Sequence, residues 1–349
     1  MIAGYTSLSN EQKQAAVQRL TALWAFTESG LGGIMHAFQV PFTGLVVGGM
    51  AVIIICLIAE LSQNDLKQVL KSALIVLIVK AMISPHTPFP AYIAVSFQAL
   101  LGYILFVLVP INFFSILLLS ILAMLESAIQ KLLVLTLFFG KSFWKAMDEM
   151  IAFIAQQFGI PSSNGSQWIA TAYLLIYLAG GIFIAWIAYK TIRGFFAQKG
   201  IPAIDYRGLS AGGIQTEVVA KRKNHFRKLW VMIVVLLLIS VVLFVFAADS
   251  KQGWVAVLKT VSWTLSAILI WYMIISPLFT KLIQRLLQKK QSRYSDEVLK
   301  TLSFLPMLNQ LSGLAWQKSK AYSGLARWQF FFSALVQWSL TSTDIPNAE

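Results

Sequence analysis

The sequence predicts an all-α fold, a polytopic transmembrane helical bundle of about seven spans, and three observations support this. Hydrophobic residues make up 58% of the 349 residues and charged residues only 12%, which is about half the charged share of a soluble protein. The apolar residues occur in runs close to the length of about 20 residues that crosses a bilayer. Ordinary or low counts of glycine (21), proline (10) and cysteine (1) exclude collagen-like, disordered and disulfide-stapled proteins.

Seven apolar segments have this length or approach it. They are residues 42–61, 69–83, 91–109, 111–139, 168–189, 229–248 and 254–275. The third ends at Pro110 and the seventh at Pro277, because proline cannot continue a helix. The second is short for a span. The fourth is about 43 Å long at about 1.5 Å per residue, so it must tilt, bend or leave the membrane.

Lysine and arginine predict the orientation, because short cytoplasmic loops carry an excess of them. Nine basic residues lie in the loop 190–228, nine in the tail 277–349, and Lys67 and Lys71 lie near the turn between spans one and two. These 20 of the 28 basic residues fall on one side. The sequence therefore predicts an outside N-terminus, a cytoplasmic C-terminus and a multi-pass protein of the plasma membrane. The formal charge of +14 is then an orientation signal, and no specific nucleic-acid binding is predicted.

The spans divide the chain into seven predicted segments. They are an outside amphipathic segment (1–35), spans one to four (36–139), an outside interfacial helix (140–166), span five (167–189), a basic cytoplasmic loop (190–228), the hairpin of spans six and seven (229–276) and a cytoplasmic tail (277–349). In the first segment, Ser9 and Gln12 form a capping-box pattern before an amphipathic stripe. That helix fits either the outer membrane surface or a partner-docking position. The helix over 143–158 fits an interfacial position, or else a pore plug or an assembly contact.

Two regions outside the spans predict contacts with lipid or with a partner. The basic cluster Lys221, Arg222 and Lys223 is typical of a contact for anionic lipid. The tail segment 328–340 is apolar but too short to span the membrane, so Trp328, Phe331 and Trp338 are predicted to contact membrane or a partner.

The residues that usually carry catalysis are dispersed. Under the predicted topology His36, His86 and His225 cannot converge on one metal ion or catalytic triad. Cys56 lies in the middle of span one, where it is most simply a small packing residue. The sequence therefore predicts no enzyme, no catalytic residue, no metal site and no cofactor.

Ionisable residues at membrane depth are the strongest functional candidates, since their desolvation is costly. Glu126 lies midway along the fourth span with Gln130 one turn later and Lys131 beside it, and Lys80 is the deep cation of span two. We expect Lys80, Glu126, Gln130 and Lys131 to form a polar seam that faces other helices or a watery path. The alternative is a structural buried pair, or a kink that places Glu126 at the interface.

Small residues predict close helix packing at two places. Gly44 and Gly48 form a Gly-x-x-x-Gly spacing in span one, and Gly180 and Gly181 give span five a thin face.

Residues 28–85 resemble the start of the TrbL-type polytopic inner-membrane subunits of type IV secretion and conjugation systems. The resemblance rests on Gln39-Val40-Pro41-Phe42 before a glycine-bearing span, the turn Ser62-Gln63-Asn64-Asp65-Leu66-Lys67, and a second span followed by an outer proline-containing loop. It implies an outside N-terminus, a cytoplasmic tail and a role in a translocation channel. It implies no catalytic residues.

The expected function is that of a non-enzymatic integral membrane subunit of a multiprotein translocation or secretion complex, with type IV secretion or conjugation as one form. Its expected partners are the lipid bilayer and other membrane-complex subunits, or further copies of the chain. The alternative is a stand-alone transporter or channel that uses the polar seam around Glu126. A third possibility is a lipid-modifying membrane enzyme.

Overall fold

The computed structural model describes residues 9–32, 42–83, 89–159, 164–196 and 292–341, and the single positions 270, 278, 282, 285 and 286. All secondary structure in these residues is helical, which confirms the predicted all-α class for this part of the chain. The α-helices are α1 (Asn10–Phe26), α2 (Thr43–Leu61), α3 (Lys67–Ile83), α4 (Phe89–Leu108), α5 (Phe113–Gln157), α6 (Gly165–Phe196), α7 (Ser295–Ser319) and α8 (Gly324–Thr341). A π-helical turn, Thr27–Leu31, continues α1, and a 3₁₀ turn, Ser292–Tyr294, precedes α7.

Among the described residues, four helices are long and apolar enough to cross a membrane: α2, α4, the Phe113–Lys141 part of α5 and the Gly165–Gly194 part of α6. They correspond to the predicted first, third, fourth and fifth spans. The predicted second span forms α3, which has 17 residues and is not among the four. The sixth and seventh spans, apart from Ile270, lie outside the described residues. The count of seven spans therefore stays a prediction.

The overlong fourth segment is interrupted by one glycine. Gly140 has φ 67° and ψ −165° within α5, a left-handed conformation that glycine adopts without steric cost. The break lies one residue after Phe139, the predicted end of the span. The amphipathic helix predicted over 143–158 follows the break, and its position on the membrane surface stays a prediction.

The chain divides into two compact units. One comprises Met1–Gln130, Thr171–Gly213 and Phe279–Glu349, and the other comprises Lys131–Ala170 and Ile214–Leu278. In the first unit α2 is the enclosed helix, because 83% of its apolar stretch is buried. Helices α1, α3 and α4 pack against it. In the second unit the Ser166 backbone N–H donates to Asp148 Oδ1 at 2.7 Å, so a carboxylate caps the positive first turn of α6.

The N-terminal helix is packed differently from the predicted surface helix. Ser9 and Gln12 do form the capping box, but the whole stretch 20–26 is buried, and α1 packs against α2, α3, α7 and α8. Thr21 Oγ1 donates to Ser72 Oγ at 2.8 Å and Lys80 Nζ to Glu28 at 2.6 Å, so α1 runs parallel to α3. The side of the membrane on which the N-terminus lies stays a prediction.

The aromatic tail is covered by the chain itself. Trp338 is 1% exposed and Phe331 is 5% exposed, while Trp328 is partly buried and its ring stacks on Phe332 at 5.9 Å. Both α7 and α8 pack against α1, and Arg19 Nη1 donates to the Leu340 carbonyl at 2.8 Å. The apolar run predicted to contact membrane or a partner therefore forms internal packing, because α1 and α7 supply the apolar surface that it needs.

Candidate functional site

The structure pairs Lys80 with an acid that the sequence analysis did not consider. Lys80 Nζ donates to Glu28 Oε2 at 2.6 Å, and the two side chains are only 4% and 6% exposed. Glu28 lies in the π-helical turn after α1, and Lys80 lies in the last turn of α3, where a cation is favourable to the helix dipole. The ring of Tyr92 lies 6.0 Å from Lys80 Nζ.

The other members of the predicted seam lie on α5 and are not joined to Lys80 by an ion pair. Gln130 Nε2 donates to the Pro90 carbonyl at 3.0 Å, which ties α5 to the start of α4. Lys131 is exposed. Glu126 is partly buried, and its Oε2 is fully buried without a hydrogen-bond partner among the described residues. The predicted seam is therefore divided: Glu126 and Gln130 lie on α5, whereas Lys80 forms a separate ion pair with Glu28.

A second polar group, on the glycine face of α2, was not predicted. A Cβ added at Gly48 would lie 3.1 Å from Gln98 Nε2 and 3.2 Å from Met124 Cε. A Cβ added at Gly44 would lie 3.3 Å from both Ser127 Cβ and the Tyr177 hydroxyl oxygen. The two glycines therefore let polar side chains from α4, α5 and α6 lie against the backbone of α2.

The polar side chains on this face make only some of their possible hydrogen bonds within the described part of the chain. Tyr173 donates its hydroxyl proton to the Tyr177 oxygen at 3.2 Å, and Ser127 Oγ donates to the Ala123 carbonyl at 3.3 Å. Gln98 is 2% exposed, and its Oε1 has no hydrogen-bond partner among the described residues. An amide in the middle of the apolar run 89–108 was the sequence signal that could have identified Gln98, since polar groups are costly at membrane depth.

Span five also makes close helix contacts at its glycines. A Cβ at Gly180 would lie 2.5 Å from Leu45 Cδ2 of α2, and one at Gly181 would lie 3.0 Å from the Cα of Ile121 in α5. The contact at Gly181 is with backbone, which cannot move aside as a side chain can.

Two further predictions fall wholly or partly on residues that the structure does not describe. The basic cluster Lys221, Arg222 and Lys223 lies outside the described residues. So do His36, His86 and His225. Within the described ranges, no group of three or more His, Cys, Asp and Glu side chains could hold a metal ion. Cys56 is buried in α2.

Comparison of the chain with protein-family models, with curated proteins and with solved structures finds no match in any of the three. What the site can do must therefore be argued from its geometry. A buried ion pair fixes α1 against α3. A carboxylate and an amide with unpartnered oxygens on α5 and α4 can accept hydrogen bonds or bind a cation.

Proposed function

We propose that this protein is a non-enzymatic integral membrane subunit of a multiprotein assembly, and that the assembly acts in translocation. The observation that carries the proposal is the uncovered surface of α6. Only 22% of the membrane-length apolar stretch of α6 is buried, against 83% of that of α2. Among the described residues this surface has no cover, and a helix with this composition requires lipid, another protein or a further span of the same chain against it.

The uncovered face of α6 has the composition of a helix–helix contact. Ala172, Leu175, Ala179 and Ile182 are all exposed and follow a spacing of three and four residues. Small residues let transmembrane helices approach closely, which is why they are enriched at such contacts. We call these four residues the α6 alanine face. Its proposed occupant is a transmembrane helix of another subunit.

The exposed face of α4 provides a contrast within the same chain. Along the same spacing it carries the large apolar side chains Ile93, Phe97, Leu100, Ile104 and Val107, which are 38% to 55% exposed, and Ser96 is exposed beside Ile93. From Leu100 to Val107 the exposed side chains of this face are all large, which suits contact with lipid tails. The translocation role itself is suggested by the resemblance of residues 28–85 to TrbL-type subunits.

The test is gentle extraction of the full chain from its native membrane, followed by measurement of the mass of the particle and of its protein content. We expect a complex of constant composition. Ala179→Trp should disperse it, because the indole fills the groove of the α6 alanine face, while Ile104→Trp on the α4 face should leave it intact. A monodisperse monomer, or equal behaviour of the two variants, would contradict the proposal.

A stand-alone transporter or channel is the second candidate. It is favoured by one oxygen each of Gln98 and Glu126 that has no hydrogen-bond partner in the described part of the chain, because polar groups inside a membrane bundle mark ion or substrate pathways. The purified protein reconstituted alone in liposomes should then move an ion or solute. Transport that persists unchanged in both Glu126→Gln and Gln98→Leu would exclude a role for these two side chains.

A further inference from the structure

We propose that Glu126 and Gln98 form a binding site for a monovalent cation, either a proton or an alkali-metal ion, where α4 and α5 meet α2. The site belongs to one chain and does not depend on the partner subunit proposed above. Its ligands are the carboxylate of Glu126 and the side-chain carbonyl oxygen of Gln98.

The first step is the pair of unpartnered oxygens. Glu126 Oε2 and Gln98 Oε1 are both buried, and neither has a hydrogen-bond partner among the described residues. A buried acceptor left unsatisfied costs about 1–3 kcal/mol, and more if it is charged. One positive ligand between the two oxygens would offset both costs.

The second step is the register of the two helices. A Cβ added at Gly102 would lie 3.5 Å from Leu119 Cδ2, and Gln130 Nε2 bonds to the Pro90 carbonyl at 3.0 Å. The residue numbers rise along α5 as they fall along α4. The two helices are therefore antiparallel, and the contacts at both ends agree on one register.

This register places Glu126 and Gln98 within one helical turn of each other along the bundle. Glu126 lies opposite positions 94 and 95 of α4, one helical turn from Gln98, or about 5 Å along the axis at about 1.5 Å per residue. Gln98 and Ser127 also converge on one residue of α2: their Nε2 and Oγ lie 3.1 Å and 3.9 Å from a Cβ added at Gly48. The glycine leaves room for the amide at this junction.

The third step is charge. Within the described residues Glu126 has no ion-pair partner, because Lys80 is bound to Glu28 and Lys131 is exposed. A carboxylate at membrane depth must be neutralised by a proton or paired with a cation. Oxygen atoms are the ligands that hard cations prefer. One carboxylate surrounded by neutral groups matches a single positive charge.

Other titratable side chains lie on the elements around this junction. They are Tyr92 and Tyr103 of α4, Tyr173, Tyr177, Tyr189, Lys190 and Arg193 of α6, Lys131 on α5 itself, and Cys56 and Glu60 in the second half of α2. Glu126 is the one carboxylic acid in the part of α5 that belongs to the first unit. The occupancy of the site should therefore follow this carboxylate.

The test uses an apolar fluorescent carbodiimide, which enters membranes and reacts with protonated carboxyl groups. The full chain in lipid nanodiscs is treated across a pH series in choline chloride, sodium chloride or potassium chloride, and the modified residue is mapped by mass spectrometry. We expect modification at Glu126 that slows as pH rises. If the ligand is an alkali ion, its salt should slow the reaction at least about tenfold against choline, equivalent to about 1.4 kcal/mol.

Two variants separate the site from general burial. If an alkali ion binds, Gln98→Leu should abolish the slowing of Glu126 modification by its salt. If the proton is the only ligand, Gln98→Leu should move the pH midpoint of the modification. Ser120→Ala is the matched control, because it also removes a buried unpartnered oxygen of α5 but one about two turns away from Glu126, and it should behave as wild type. The proposal is overturned if Glu126 is never modified, if its rate ignores both salt and pH, or if Gln98→Leu is indistinguishable from wild type.

Discussion

Replacing Lys80 by methionine should destabilise the protein strongly, because it leaves Glu28 buried without a counter-charge. The side chains are 4% and 6% exposed and their charged atoms lie 2.6 Å apart. Removal of one partner from such a buried pair costs about 3–5 kcal/mol. The pair joins the turn after α1 to the end of α3, so the loss should be accompanied by release of α1 from the unit.

The same helix supplies the matched control. Lys71 of α3 pairs with Glu297 of α7 at 2.9 Å, but these side chains are 34% and 36% exposed. Exposed ion pairs contribute only about 0.2–1 kcal/mol. Lys71→Met removes the same charge from the same helix, so the difference between the two variants isolates burial.

Equilibrium unfolding of the purified full chain in mixed micelles, followed by circular dichroism, gives both free energies. The double variant Glu28→Leu/Lys80→Met should recover most of the loss, since apolar replacement of a buried ion pair is often neutral or stabilising. A loss in Lys80→Met no larger than in Lys71→Met would refute the reasoning, as would a double variant less stable than Lys80→Met alone.

Three further predictions follow from packing and charge. Gly181→Ala should cost about 1–3 kcal/mol of stability, because its Cβ would lie 3.0 Å from the backbone of α5. A Cβ at Gly313 in α7 meets nothing within 4 Å, so Gly313→Ala should stabilise the protein by up to about 1 kcal/mol. Equilibrium unfolding of both variants measures the two effects. Trp338→Ala should cost about 3–5 kcal/mol, since the side chain is 1% exposed, and proteolysis should then cut the tail faster. The hydrogen bond from Lys71 holds the pKa of Glu297 below its usual value. The stabilisation from this carboxylate is therefore present above the unfolded pKa of about 4.3 and is lost as pH falls through the lower folded pKa. The free energies of unfolding of wild type and Glu297→Gln should converge at acidic pH.

Each of these has an outcome that would count against it. Equal effects of the two glycine substitutions would show that α5 and α6 are not in backbone contact. A tail that stays resistant to protease in Trp338→Ala would show that something other than internal packing protects α8. A stability difference between wild type and Glu297→Gln that grows on acidification would have the wrong sign for a lowered pKa.

The positions of the helices could be predicted because they depend on local composition. Long apolar runs located α2, α4 and the membrane-length parts of α5 and α6, and Ser9 with Gln12 marked the start of α1. The exposed and buried faces could not be predicted in the same way. An amphipathic stripe such as that of α1 satisfies a membrane surface and a protein core equally well, and the buried run 20–26 shows that the chain uses it for core.

The candidate site was predicted only in part, since its partners come from distant segments. Glu126 was identified because an acid within an apolar run is conspicuous. The partner of Lys80 could not be found, because Glu28 lies 52 residues away and no local pattern links them. Gln98 was missed although it interrupts an apolar run as Glu126 does, and its importance depends on Gly48, which lies on a different helix.

Site-specific photocrosslinking in the native membrane tests the proposed subunit contact most directly. A photoreactive residue is placed at Ala179 on the α6 alanine face or at Ile104 on the α4 face, and the adducts are identified. We predict one discrete protein adduct from position 179, lost when Ala172→Trp is added, and lipid adducts alone from position 104. Lipid adducts alone from both positions would contradict the claim that α6 meets another subunit.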